Sequence, residues 1–469
     1  MYFFENIRKL ARPKILNISD MSEVIKIKKG FNINLLGEAE KTVSEIQPKL
    51  CAIKPTDFHG VFPKMAVQEG EEVKAGTVLF WDKYRDNIKF TSPVSGKVLE
   101  VRRGAKRVLL EVVIENNGRN EFVDFGKANP SDLSREEVVE KLLKSGVWPV
   151  LRQRPYSIIA NPDDDPKAIF ISAFDTAPLA PDYDLIVHGH GDDFQAGLDV
   201  LSRLTSGTIY LNINGAEGTS KVFTNSKNVR ITQFHGKHPA GNVGTQIAYL
   251  SPINKGDIVW YLRPQEVLFI GRLFQQGKLD TTRLIALTGS ELKKPHYIRT
   301  KLGSSVDEML KDNLKGSNLR YISGNPLTGV QIDKQGFVGF YDSQVTVLPE
   351  GDHYEFFGWA HPGFNKFSFG RSFFSSVFPK KAWRLDTNLK GGERAFVMTG
   401  EFEKVFGWDI YPLQLIKSIL IEDIDQMERL GIYEVDEEDF ALCEFIDTSK
   451  TDIQEIIRNG LNLMLKEMS

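Results

Sequence analysis

The sequence predicts a multidomain α/β protein on three observations: its length, a run of short β-branched segments punctuated by glycine, and a strand–helix–strand spacing beyond residue 130. At 469 residues the chain exceeds what one hydrophobic core organises, so roughly two to four domains are expected. Hydrophobic residues make up 41% and charged residues 26%, which excludes a disordered or collagen-like chain. Lys+Arg 59 against Asp+Glu 62 leaves a net charge of −3. That balance lacks the basic field of a whole-chain nucleic-acid binder, so no nucleic acid is expected as a partner. Two cysteines, Cys51 and Cys443, cannot build a disulfide scaffold or a four-thiolate metal or cluster site. No metal site is therefore assigned. No run of about 18 apolar residues occurs, so no segment is expected to span a bilayer.

Residues 1–20 have mixed charge and a broken apolar pattern, and read as an upstream extension. Met21 reads as the start, opening MSEVIKIKKGFNINL, in which Val24, Lys26 and Lys28 alternate with Ile25 and Ile27. The alternative for 1–20 is an amphipathic arm. The stretch lacks the apolar core and small-residue cleavage site of a secretory signal, so a cytoplasmic protein is expected.

Over 55–115, Gly70, Gly76, Pro93, Gly96 and Gly104 divide short strand-forming runs, which predicts an all-β unit with tight turns. The pattern V-x-E-G-E-x-V-x-x-G-x-x-L followed by S-P-V-S-G-x-V resembles biotinyl/lipoyl-type barrel-sandwich domains. Where such carriers present a modifiable lysine this chain has Arg85, and Lys83 falls two positions early. A guanidinium cannot take the amide linkage, so a structural or docking module is expected.

From about residue 130 the period becomes helical. Ser134 and Glu137 form a capping box ahead of Val138, Val139, Leu142 and Leu143, and Gly146 stops the helix. Asp184–Val187 reads as a strand. Asp192 reads as the cap of a helix carrying Phe194, Leu198 and Leu201 and running to Gly207, and Thr208–Leu211 reads as the next strand. This spacing predicts a Rossmann-like parallel sheet. No glycine-rich phosphate loop is present. HGHGDD at 188–193 puts two aspartates where a phosphate would sit, and reads as turn glycines with a helix cap; the alternative, a His/Asp metal cluster, lacks the i,i+4 helical spacing.

The stretch FHGKHPAGNVGTQIAYLSPI at 234–253 is the densest candidate for function, with His235, His238, Gly236, Gly241 and Gly244 close together. Glycines at this density imply tight turns or close backbone approach. His-x-x-His without a third partner is a weak zinc signal. An organic ligand, a partner surface and a structural loop all stay open for it.

MSEVIKIKKGFNINLLGE, the barrel-sandwich pattern, FHGKHPAGNVGTQIAYLSPI, VLFIGRLFQQG and CEFIDTSKTDIQEIIRNGLNLMLKE together resemble the A subunits of the sodium-translocating NADH:quinone reductases. The resemblance runs from about Met21 to Ser469. That family is similar in turn to flavoprotein subunits with a glycine-rich flavin and NADH loop. At the matching place, 145–157, this chain has Trp148, Pro149, Arg152, Arg154 and Pro155 instead of glycines. Asn214-Gly215-Ala216-Glu217 matches a turn beside the flavin in those relatives. Their C-terminal cluster cysteines are reduced here to Cys443. The resemblance thus implies a chain that binds no cofactor of its own, with flavins and iron–sulfur centres in partner subunits.

Residues 282–350 resemble the β-grasp, soluble-ligand-binding module of the same relatives, with Ser305 and Glu308 boxing a short helix. Residues 354–383 are rich in aromatics without a sustained period, and read as an irregular loop. That loop either docks on a membrane subunit, helped by Lys366, Arg371, Lys380 and Lys381, or folds over its own core. Pro412 opens a helix expected to run to Gly431, and Thr451 with Gln454 opens the last one. The expected units are an extension at 1–20, an N-terminal region with the barrel-sandwich at 21–125, a Rossmann-like domain at 126–275, a β-grasp domain at 276–350, and the aromatic loop with a C-terminal helical domain at 351–469.

The resemblance implies a peripheral subunit on the cytoplasmic face of the bacterial inner membrane. It implies a six-subunit complex that oxidises NADH, reduces ubiquinone or menaquinone and exports sodium. A membrane-embedded flavin subunit is its implied direct neighbour. A quinone needs a hydrogen-bond donor for each carbonyl. His235 and His238 are the expected donors, beside Gly241, with Arg152 or Arg154 stabilising negative charge. No catalytic residue is assigned. The alternatives are a docking scaffold of the same complex and a free-standing flavin or NAD enzyme, the latter disfavoured by the missing loop.

Overall fold

The computed structural model describes residues 23–215, 218–378 and 380–468. The extension at 1–20, the start at Met21 and residues 216–217 of the flavin-type turn lie outside them. Two small sheets form the barrel-sandwich. One orders Leu50–Ile53, Leu109–Asn116, Gly96–Arg103 and Glu72–Val73; the other orders Pro63–Met65, Val78–Asp82 and Lys89–Thr91. Arg85 fixes the hairpin that follows Val78–Asp82, through Asp82 (3.0 Å) and the Ile159 carbonyl (3.2 Å).

The Rossmann-like sheet has seven strands in the order Glu23–Lys26, Arg230–His235, Thr208–Asn214, Ala168–Ser172, Val259–Leu262, Arg152–Arg154 and Ile158–Ile159. The first five run parallel, Arg152–Arg154 pairs antiparallel with Val259–Leu262, and Ile158–Ile159 pairs antiparallel with Arg152–Arg154. Period-2 alternation divides its faces. Ile169, Ile171, Trp260 and Leu262 pack with Phe194, Leu198 and Leu273 of the helices Gly191–Leu201 and Pro264–Gln276. Phe170, Val259 and Tyr261 pack with Ile247 of Val243–Leu250 and with the C-terminal helices.

A six-stranded β-grasp sheet orders Val330–Ile332, Leu319–Ser323, Gln344–Pro349, Thr282–Thr288, His296–Lys301 and Glu40–Glu45. The region 21–125 therefore serves three units. Its residues 23–26 and 40–45 extend the two larger sheets, and only the remainder builds the barrel-sandwich.

Several local expectations are corrected. Asp184–Val187 is not a strand but part of a short helix, Tyr183–Val187, because the Asp182 carboxylate accepts the N–H groups of Asp184 and Leu185. The following helix starts at Gly191 behind His190, so Asp192 lies in its first turn, and it ends at Leu201, short of Gly207. Ser305 caps nothing with its side chain; Glu308 instead accepts the N–H groups of Lys49 (2.8 Å) and Leu50 (3.0 Å). The helix from Pro412 stops at Leu420, and a second, Ile424–Arg429, starts where Asp423 caps Gln426. Gln454 does not box with Thr451; its amides turn to Glu444, and the helix begins at Ile453. The Ser134–Glu137 box and the Gly146 stop form as expected.

The aromatic segment folds in part over its own core. Phe367 packs with Phe31, Trp383 and Phe445, while Tyr354, Phe356, Phe364, Phe374 and Phe378 are exposed.

Helices Gly191–Leu201 and Pro264–Gln276 cross at two glycines. A Cβ on Gly271 would lie 1.8 Å from the Asp193 carbonyl, and one on Gly197 2.3 Å from the Val267 carbonyl. Backbone cannot retreat as a flexible side chain does. Gly271→Ala is expected to lower stability by roughly 1–3 kcal/mol, read as a shift of the urea midpoint.

Candidate functional site

The strand Ala168–Ser172 has Thr208–Asn214 on one side and Val259–Leu262 on the other. The chain leaves it toward the first neighbour and returns later beside the second, so the connection order reverses between 168–172 and 259–262. In open α/β sheets a ligand crevice forms at the carboxyl ends of the strands at such a switch point. A partly open cleft lies there. Phe174 and Asp175 follow the first strand, Arg263 follows the second, and His238 and Gly241 come from the loop after Arg230–His235. Asn325 and Thr328 of the β-grasp module and Glu438 of the helix Glu437–Ile446 also line it.

His238 is 3% exposed. Its backbone N–H donates to Asn32 Oδ1 (2.8 Å), and its Nδ1 lies 3.1 Å from Thr176 Oγ1. That hydroxyl already accepts the Gly241 N–H (2.9 Å). With the hydroxyl's own proton given to Nδ1, the ring proton sits on Nε2. Nε2 is buried without a partner among the described residues, an arrangement that costs free energy until an acceptor arrives. Gly241 permits this geometry, since a Cβ there would lie 2.6 Å from the Thr176 nitrogen.

Burial pushes the His238 pKa down from 6.5 to about 4, against the opposing charge of Asp175. The ring is neutral at pH 7. Because the folded-state pKa is the lower one, the unfolded chain binds the extra proton between pH 6.5 and about 4, and stability falls with pH across that window. The His238 contribution is expected to reach roughly 3 kcal/mol. Asp57, raised to about 6 by burial, contributes with the opposite sign. The His238 share is therefore read as the difference in denaturant midpoint between wild type and His238→Gln at pH 7 and pH 5.

Arg152 extends from the strand next to Val259–Leu262. Its guanidinium is clasped between the rings of Tyr261 (4.5 Å) and Tyr341 (4.3 Å). It makes no hydrogen bond or ion pair among the described residues, and its Nε is buried and unpartnered.

Of the five residues expected from sequence, the cavity gathers His238, Gly241 and Arg152. His235 ends its strand away from the cavity, its ring over Gly215, where a Cβ would lie 1.9 Å from Nε2. Arg154 is fully buried and bonds Asp439 (2.6 Å) and Glu438 (2.8 Å). Its charge is consumed in joining the sheet to the C-terminal helices, so it is not free to act on a ligand. Sequence reasoning missed Arg263, Asp175 and Tyr183. The available signal was Arg263 at the end of the apolar run VWYL, just before the helix-starting Pro264. Among the described residues there is no cluster of three or more potential metal ligands and no helix long and apolar enough to cross a membrane.

Comparison with known proteins defines the class first. The chain is an assembly of domains matching the NqrA N-terminal barrel-sandwich hybrid domain over residues 25–117, the NqrA second alpha/beta domain over 133–279 and the NQRA C-terminal domain over 284–334. The particular family follows from whole-chain similarity. The chain is 39% identical over 449 residues to the A subunit of the Na+-translocating NADH-quinone reductase of Vibrio atlanticus (strain LGP32), covering 95% of this chain and 100% of that protein. It is 38% identical over 451 residues to the corresponding protein of Yersinia pestis, at the same coverage. The chain belongs to the NqrA family, the A subunits of the Na+-translocating NADH-quinone reductases.

Proposed function

We propose that this chain is a peripheral subunit, on the cytoplasmic face of the inner membrane, of a complex that oxidises NADH, reduces a quinone and exports sodium. Its switch-point cavity receives the ring of ubiquinone or menaquinone. The chain carries no redox cofactor; flavins and iron–sulfur centres belong to partner subunits of the six-subunit complex, the nearest being a membrane-embedded flavin subunit. The working units are those at 21–125, 126–275, 276–350 and 351–469.

The observation that carries the reading is the buried, unpartnered Nε2 of His238, a residue of the cavity wall, on the same wall as the unpaired guanidinium of Arg152. A quinone ring offers a carbonyl acceptor to each. A second reading, a docking scaffold with quinone held in a membrane subunit, is favoured by the exposed Tyr354, Phe356, Phe374 and Phe378. Calorimetric titration of the full chain with a short-chain ubiquinone decides between them. Binding that weakens in His238→Ala supports the cavity. No binding, with unchanged quinone kinetics in a complex carrying the variant, leaves the scaffold.

A further inference from the structure

The cavity supplies hydrogen-bond donors in excess of acceptors. Arg152 offers a whole guanidinium, unbonded among the described residues. Arg263 spends one donor on the Tyr183 hydroxyl (3.3 Å) and makes no ion pair among them. His238 adds its Nε2–H. Each carboxylate on the wall has one oxygen engaged. Glu438 accepts from Arg154 (2.8 Å), and Asp175 accepts the Ala177 N–H (2.8 Å). Behind the wall, buried Glu266 accepts the backbone N–H of Arg263. Asp175, Glu438 and Glu266 act on Arg263 only from beyond ion-pair distance.

A neutral quinone would satisfy at most its two carbonyls here and leave the Arg263 fork unfilled. A planar guanidinium is matched by an oxyanion, whose bonds to it are about twice as strong as those of a neutral acceptor. We propose that the cavity prefers a quinone bearing a negatively charged ring oxygen, an ionised hydroxyquinone, and that Arg263 is the binding residue that confers the preference. This rests on the quinone reading of the same cavity. Tyr183 acts as a positioning residue, holding one nitrogen of Arg263 so that the rest of the fork faces inward.

Three probes share one bicyclic ring: naphthoquinone, which is neutral; hydroxynaphthoquinone with its hydroxyl on the quinone ring, a vinylogous carboxylic acid and so ionised at pH 7; and naphthoate, an anion without quinone carbonyls. Each is titrated calorimetrically into the full chain at pH 7. Hydroxynaphthoquinone is expected to bind at least about tenfold tighter than naphthoquinone. In Arg263→Gln the gap is expected to shrink to about threefold or less, with naphthoquinone affinity retained. Equal affinity for the two quinones in the wild type overturns the preference and leaves the quinone reading intact. A gap that persists in a folded Arg263→Gln overturns the role of Arg263. Naphthoate binding as tightly as hydroxynaphthoquinone, with naphthoquinone silent, upholds the anion site and removes the quinone reading. Silence from all three overturns both. If Arg263→Gln does not fold, Arg263→Lys, which keeps the charge but loses the fork, replaces it and is expected to narrow the gap in the same direction.

Discussion

Replacing Arg154 by methionine is expected to destabilise the folded chain by about 3–5 kcal/mol, the cost of leaving a buried carboxylate without its partner. Arg154 is fully buried, and Asp439, 2.6 Å away, has no exposed side-chain surface either. Glu438 at 2.8 Å and Asp436 at 3.7 Å complete the cluster. Arg458, bonded to Asp436 (3.0 Å) and to the Tyr156 carbonyl (2.8 Å), is the second cation of the same cluster. Without Arg154, Asp439 and Glu438 lose their cation, because Arg458 bonds Asp436 and Glu437 instead. Arg154→Lys is expected to recover only part of the loss, because one ammonium cannot bond Asp439 and Glu438 as the two guanidinium nitrogens do. Chemical-denaturation midpoints at pH 7 measure both variants. A loss below about 1 kcal/mol in Arg154→Met, the range of an exposed ion pair, would refute the clamp. Any change in ligand binding in these variants comes through Glu438, which lines the cavity, and not from contact with Arg154.

Arg152 and Arg154 show where sequence reasoning reaches its limit. Two residues apart in QR-rich context, they point to the same side of one strand and read alike. Their roles diverge because one meets two tyrosine rings and the other meets carboxylates at 436–439. That pairing spans some 280 positions, and no local pattern reports it. Features with local causes were legible: the Ser134–Glu137 box closes within one turn, and the glycines of the barrel-sandwich mark its turns. Asp184–Val187 was misread because four apolar-rich residues carry too little period to separate helix from strand. The Asp182 carboxylate settled it through two N–H groups. The cavity was half legible. The loop holding His238 and Gly241 announces itself by its glycines. Its meeting with Arg263 depends on strand order, which places residues 168–172 beside 259–262 instead of between sequence neighbours alone.

Replacing His238 by alanine is expected to weaken quinone binding by roughly 10–100-fold, the equivalent of about 1.4–2.8 kcal/mol. The range follows from losing one buried donor opposite a carbonyl in a site that water does not freely replace. Truncation alone is ambiguous, because His238 also takes the Thr176 hydroxyl proton and so ties two loops together. Two further substitutions separate the roles. Glutamine carries an amide nitrogen near the position of Nε2 and keeps a donor facing the cavity. Asparagine places its amide near Nδ1 and keeps the bond to Thr176 without that donor. If His238 binds the ligand, His238→Gln restores affinity to within about fivefold of wild type while His238→Asn stays as weak as alanine. If His238 only joins the loops, the order reverses, with asparagine recovering both stability and binding. The same pair, placed in the intact complex, is read in kcat/KM for quinone at fixed NADH and sodium. Glutamine above asparagine assigns quinone contact to this chain. Equal, wild-type values for both would leave the cavity out of quinone turnover and turn attention to the exposed aromatic face as the chain's working surface.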